Sequence, residues 1–301
     1  MQFLLYILLY PILFLISILP FRLLYIFSDC VYILVYRIIG YRKKTVRENL
    51  ALALPHLSER ERLLIEKKSY KHLCDMFLEM IKTMTISVKE IERRFVFKNL
   101  PEYLELEKKG KSVALMCAHY ASYEWVISMN GRINYEGYAI YKRINNPYFD
   151  RLVKKIRSRF KAYLITTRET RAIIKSNERK GNHAIYGFAS DQSPQVKSKT
   201  YWSKFMGIEV PVYVGAELIS KNHDMNVVFL KVEKVKRGYY EATIELLSDD
   251  VKSIPNYEYV IAQPRSEFTE QSLARLAQIF LKNDDKTKGI SVLTRLENEA
   301  D

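Results

Sequence analysis

His119 and Glu124 stand at the two ends of His119-Tyr120-Ala121-Ser122-Tyr123-Glu124, an imidazole and a carboxylate of the kind that together perform acid/base work. The apolar run Ser112–Cys117 before them reads as a strand, and Tyr123–Met129 after them reads as a helix. On one continuous helix, residues five apart point roughly 140° away from each other. The two side chains therefore converge only if His119 lies in the loop and Glu124 in the first helical turn. Ser122, a good N-cap residue, allows that arrangement. His119 would then take a proton from a hydroxyl while Glu124 fixes its tautomer and stabilises the imidazolium. The helix start would offer backbone N–H groups to a phosphate or oxyanion. By spacing alone, the same pair also describes a packed histidine and an exposed carboxylate favoured by the helix dipole.

Other chemistries find less support. Cys117-x-His119 has no second ligand pair, and His56, His72, His183 and His223 are scattered, so no metal site is expected. There is no Gly-x-Ser-x-Gly elbow for a nucleophilic serine and no glycine-rich phosphate loop. Cys30, Cys74 and Cys117 form no paired spacing, and their odd number fits a reducing compartment.

The elements that must position the pair follow from periodicity. Ser58-Glu-Arg-Glu61 resembles a capping box, and Arg62–Met84 has helical spacing. A short helix and a strand around Phe95–Phe97 come before the Ser112–Cys117 strand. Tyr138–Tyr141 reads as a strand, and Asn146-Pro147 marks a turn before a basic helix, Tyr148–Phe160. Strands at Tyr163–Thr166 and Ala184–Ala189 flank a helix at Glu169–Glu178, and the loop Asp191-Gln-Ser-Pro194 leads into a polar, basic stretch to Lys204. Then come extended Val210–Val214, helical Gly215–Lys221, a hairpin of Val227–Glu233 with Tyr239–Leu246, and a helix at Thr269–Leu281. Alternation of strands and helices predicts an α/β fold with a mixed or mainly parallel sheet.

The chain has 301 residues, 48% of them hydrophobic, and a net charge of +14, which suits one large domain with an anionic partner. Phe3–Leu19 holds no charged residue, and Leu23–Gly40 is interrupted only by Asp29 and Arg37. A full span usually takes about 20 residues. The expectation is an uncleaved hydrophobic membrane-anchor segment over 1–40, either a tilted span or a hairpin-like interfacial element. Tyr41-Arg-Lys-Lys-Thr-Val-Arg47 follows it and predicts a cytoplasmic flank that also grips anionic headgroups. From Lys142 to Lys180, basic residues far outnumber Asp150, Glu169 and Glu178, so this face suits an acidic carrier protein or a phosphorylated glycolipid. Nucleic acid is not expected, because no binding motif accompanies the charge.

In company, the His119/Glu124 pair becomes specific. Together with Arg42-Lys-Lys-Thr-Val-Arg-Glu-Asn-Leu50, Tyr141-Lys-Arg-Ile-Asn-Asn-Pro147, Arg157-Ser-Arg159, Asp191-Gln-Ser-Pro194, Phe205-Met-Gly207 and Gly215-Ala-Glu217, it resembles the late acyltransferases of lipid A biosynthesis. These form the lauroyl/myristoyl branch of the lysophospholipid acyltransferase superfamily, and the similarity runs in order over roughly residues 1–280. The resemblance implies a glycerol-phosphate-acyltransferase-like mixed sheet flanked by helices. It implies a base, His119, assisted by Glu124, and an acyl-acyl carrier protein or acyl-CoA as co-substrate, with no metal or redox cofactor. Arg157 resembles an arginine tied to substrate phosphate or to the active-site network, and Asp191 a second acidic position near the site. Lys142, Arg143 and Arg159 join them as expected substrate-binding residues. The implied place is the inner membrane, with one N-terminal anchor (1–40), a cytoplasmic acyltransferase domain (41–282) and a polar tail (283–301). An acyltransferase acting on a glycerophospholipid or aminolipid, and an inactive protein binding anionic lipid, are the rival readings. The tail departs from the aromatic, basic ending expected of the family, since Trp125 and Trp202 both lie elsewhere.

Overall fold

The computed structural model describes residues 2–192, 194 and 201–253. The expected helix Thr269–Leu281 and the tail 283–301 lie outside the described residues, as do Ser193 and part of the basic stretch before Lys204. In chain order the elements are α1 (Gln2–Ile18), α2 (Phe21–Tyr32), a π-helical extension (Ile33–Ile39), α3 (Lys43–Ala53), α4 (Glu59–Lys82) and α5 (Val88–Arg94). Then follow β1 (Phe95–Phe97), α6 (Leu100–Glu107), β2 (Val113–Cys117), a 3₁₀ helix (Tyr123–Gly131), β3 (Glu136–Tyr141) and α7 (Pro147–Ser158). The remainder is β4 (Ala162–Thr166), α8 (Thr170–Arg179), β5 (Ala184–Ala189), β6 (Tyr201–Phe205), β7 (Ile208–Val212), α9 (Gly215–Asn222), β8 (Asn226–Lys236), β9 (Tyr239–Ser248) and a short 3₁₀ turn (Val251–Ser253). Seven strands form one sheet in the order β1-β9-β8-β2-β5-β3-β4. β1 and β9, β3 and β4, and β3 and β5 pair in parallel, while sheet neighbours β8 and β9 are joined only by Arg237-Gly238, a hairpin. The sheet is therefore mixed and flanked by helices, as the alternation predicted.

The chain divides into two compact units: residues 1–113, 120–187 and 232–244, and residues 114–119, 188–231 and 245–301. The first unit is organised around α4. Its capping box forms as expected, with Ser58 and Glu61 bonding each other's backbone N–H. α4 buries charged side chains against α2. Tyr25 donates to Glu79 and Ser28 to Asp75, each at 2.7 Å, and Tyr36 donates to Glu66 at 2.8 Å. Arg237, in the β8–β9 turn, bridges Asp75 and Asp29. The turn tolerates only glycine at its second residue. Gly238 has φ 74°, and a Cβ there would sit 1.9 Å from the Tyr25 hydroxyl.

This arrangement turns the α2 segment inside out. Tyr25, Ser28, Asp29 and Tyr36 reach protein partners, whereas Leu23, Ile26, Phe27, Ile33, Leu34, Ile38 and Ile39 are exposed, as are Arg22 and Arg37. α1 does the same along its length, exposing Leu4, Leu8, Ile12 and Leu15 and turning Ser17 inward. Among the described residues, no single helix is long and apolar enough to cross a membrane. The pair Phe21–Ile39 and Lys43–Ala53 is so only jointly and bends by 92°. The expected single anchor helix thus resolves into α1, at 17 residues, and a separate α2. Pro20 stands before α2, and its residues pair with α4 rather than continuing α1.

His72, on α4, accepts a hydrogen bond at Nδ1 from the Lys234 ammonium at 3.1 Å and packs beside the Tyr120 ring. Burial, and then the Lys234 charge, lower its pKa to about 4. An unfolded histidine titrates near 6.5, so between these values the unfolded chain binds the extra proton and stability is lost as the pH is lowered. Unfolding in detergent should therefore cost about 2 kcal/mol less at pH 5 than at pH 7, and His72→Gln should remove most of that difference. An equal pH slope in both proteins would refute the assignment.

In the second unit the core is formed by Ala114, Leu115, Met116, Met225, Val227 and Val228, all buried. β6 and β7 form an antiparallel ribbon turning at Met206-Gly207, both left-handed at φ 53° and 75°. Such a turn matches the twist of a two-residue hairpin. β6 was not expected from sequence. Its residues are exposed or half-buried on both faces, so no apolar alternation marks it.

Candidate active site

β2 and β5 are neighbours in the sheet, and His119 and Asp191 each lie two residues past a strand end, at Cys117 and Ala189. Ligands of open α/β sheets gather at such strand ends. The His119 backbone N–H donates to Asp191 Oδ2 at 2.9 Å, and its ring Nδ1 lies 2.7 Å from Oδ1. Burial opposes ionisation of Asp191, but the hydrogen bonds from the His119 ring and backbone outweigh it and hold its pKa below the ordinary carboxylate value. An ionised carboxylate only accepts, so Nδ1 carries the proton and the basic lone pair is on Nε2. The His119 side chain keeps 35% of its exposure, which leaves the ring accessible to a substrate. Cys117, the last residue of β2, is no competing nucleophile. Burial, reinforced by the Asp191 charge, raises its thiol to about 12.

Past His119 the chain turns sharply: Ala121 is fully buried in a left-handed conformation, φ 54°. Ser122 then holds the N-cap position, without a side-chain cap bond, and Tyr123–Gly131 winds as a 3₁₀ helix rather than the expected α-helix. Glu124 lies in its first turn, as the spacing required. Both of its oxygens are taken by Arg157 of α7. Arg157 Nε donates to Oε2 at 2.8 Å, and Nη2 donates to Oε1. The two side chains keep only 17% and 7% of their exposure, so this is a buried, two-pronged ion pair. Burial alone would lower the guanidinium's pKa, but the Glu124 hydrogen bonds and charge more than offset that and raise it.

The sequence-predicted residues thus form two pairs, His119 with Asp191 and Glu124 with Arg157. Asp191 was expected only as a second acidic group, and Glu124 as the carboxylate orienting the imidazole. In the structure the carboxylate on Nδ1 is Asp191. Arg159 reaches neither pair. Its Nη1 and Nη2 donate to the Thr83 and Ile86 carbonyls at 2.7 and 2.9 Å, which closes the end of α4. Lys142 and Arg143 are exposed just past β3. Thr83 and Trp125 escaped sequence reasoning. The Trp125 indole, fully buried behind Glu124, donates to the Thr83 hydroxyl at 3.1 Å. No sequence signal joins two residues 42 positions apart.

A histidine whose Nδ1 is held by a carboxylate, as here at the strand ends of an α/β sheet, has the geometry that a general base acting on a hydroxyl requires. Residues 2–257 match the model of the bacterial lipid A biosynthesis acyltransferases, and the chain belongs to that family. It is accordingly an acyltransferase of lipid A biosynthesis with a glycolipid substrate. No curated protein matches the sequence.

Proposed function

We propose that the enzyme moves a fatty acyl chain from an acyl thioester, an acyl-acyl carrier protein, to a hydroxyl of a lipid A precursor, with His119 as general base. Nε2 accepts the hydroxyl proton as the oxygen attacks the thioester carbonyl. The carbon–sulfur bond then breaks, and the departing sulfur takes that proton back from His119. Asp191 keeps the proton on Nδ1 and stabilises the imidazolium between the two transfers. The observation that carries this reading is the two-point hydrogen bonding of His119 to Asp191. Glu124 follows His119 by only five residues, a reach of at most about 18 Å. We assign the Glu124–Arg157 pair to fixing the turn after the base. Lys142 and Arg143, exposed and basic, suit the phosphates of the acceptor or the acidic carrier protein.

Membrane attachment belongs to the same proposal. Helices that bury polar groups and expose Leu, Ile and Phe are patterned for lipid rather than water. Arg42, Lys43, Lys44 and Arg47, directly after the apolar segment, suit anionic headgroups on the cytoplasmic face of the inner membrane. The test incubates membranes carrying the protein with acyl-acyl carrier protein and a lipid A precursor and weighs the products. One added acyl chain on the precursor is expected. Acylation of glycerophospholipid in its place would overturn the acceptor assignment.

A further inference from the structure

We infer that α1 positions the Arg157–Glu124 pair, bracing α7 from both of its ends, and is more than a membrane attachment. This rests on the reading of the site given above.

The first brace is at the start of α7. Asn146 caps that helix, its Oδ1 accepting the backbone N–H groups of Tyr148 and Phe149 at 3.0 and 3.5 Å. The same side chain donates through Nδ2 to the Gln2 carbonyl of α1 at 3.3 Å. Phe3 and Tyr6 pack on Tyr148 with ring centres 5.0 and 5.7 Å apart, and Tyr6 meets Phe149 edge-on at 5.6 Å. Three aromatic contacts and a shared cap thus join the first turns of the two helices.

The second brace is at the other end. The carbonyls of Ser17 and Leu19, where α1 ends, each accept the Lys82 ammonium at 2.7 Å, and Thr85 Oγ1 also donates to Ser17. Lys82 is buried, so withdrawal of α1 would strip an ammonium of its acceptors. Between Lys82 and Thr85 lies Thr83, whose carbonyl holds Arg159 and whose hydroxyl holds Trp125. Arg159 is two residues beyond Arg157, and Trp125 directly follows Glu124. Each member of the buried ion pair is therefore next to a residue anchored on the turn that α1 seals. A displacement of α1 is transmitted to both partners, and a small misplacement of catalytic groups is costly in rate.

The test uses the full-length protein in its membrane and compares wild type, the double variant Tyr6→Ala/Tyr148→Ala, Tyr6→Phe, and Leu8→Ala on the exposed face of α1. Three things are read: membrane retention, kcat and KM for the acyl transfer, and the rate at which an arginine-selective dicarbonyl modifies Arg157 relative to exposed Arg93, by mass spectrometry. The double variant should stay in the membrane, lose kcat by on the order of 10²-fold with a smaller change in KM, and expose Arg157 to reagent. Tyr6→Phe and Leu8→Ala should behave as wild type. A double variant with wild-type kcat and a protected Arg157 overturns the inference. Loss of kcat with Arg157 still protected overturns it too, because the loss would then not run through the pair. Should the wild type itself transfer no acyl chain, the functional reading fails alone; exposure of Arg157 in the double variant would still uphold the brace.

Discussion

His119→Ala is expected to lower acyl transfer by about 10²- to 10⁴-fold with little effect on folding, since the side chain sits in a partly exposed loop. Product formation undiminished in this variant would sink the mechanism. Asp191→Asn should be nearly as damaging for a different reason. An asparagine can turn its amide N–H₂ toward Nδ1, which drives the ring proton to Nε2 and removes the base. The pH profile separates this from simple misfolding. In the wild type, ionised Asp191 favours the imidazolium, so its removal makes His119 harder to protonate. The residual activity of Asp191→Asn should therefore persist to lower pH than that of the wild type. Asp191 itself has a depressed pKa, so the wild-type pair keeps its charge as pH falls through the ordinary carboxylate range near 4 and loses it only below. Rates of product formation from about pH 4 to about pH 8, which spans the ordinary aspartate and histidine ranges, with folding followed by circular dichroism, decide the matter. An acid limb unmoved by Asp191→Asn would mean that the carboxylate does not act on the histidine.

Arg157→Ala should destabilise the protein by about 3–5 kcal/mol, because it leaves the Glu124 carboxylate buried without its counter-charge. Arg157→Lys is expected to rescue only part of this. A single ammonium cannot replace the fork that meets both Glu124 oxygens. The double variant Glu124→Gln/Arg157→Ala removes the stranded charge and should recover stability relative to Arg157→Ala without recovering turnover. Denaturation midpoints and acyl-transfer rates of wild type, Glu124→Gln, Arg157→Ala and the double variant form a double-mutant cycle that reads the coupling directly. Purely additive effects would show that the observed pair is energetically idle.

Local pattern made much of this legible. The capping box at Ser58, the Asn146-Pro147 start of α7, β2 and β5 on either side of the site, and the β8–β9 hairpin all follow from signals within a few residues of chain. So does the placing of His119 in a loop and Glu124 at a helix start, which the 3.6-residue period demands. α6 and β6 were missed. In β6 both faces are partly wet, so hydrophobic alternation is absent. Nothing in sequence placed Arg159 on the Thr83 and Ile86 carbonyls, because a guanidinium that caps carbonyls looks there like one that meets phosphate.

Residue types and spacing by themselves determined that a histidine and a carboxylate punctuate a strand-to-helix junction in a basic chain with an apolar start. Which carboxylate serves the histidine was decided by tertiary structure alone. Asp191 lies 72 residues away and reaches the ring only because β2 and β5 are sheet neighbours ending together. Sheet order depends on long-range pairing, whose free energy is distributed over the whole core, and no short window of sequence encodes it. The same holds for α1. Its apolar composition predicts a membrane segment, but only packing reveals that Tyr6 also meets α7, which carries Arg157, and that Ser17 and Leu19 also meet Lys82 at the end of α4, next to Thr83.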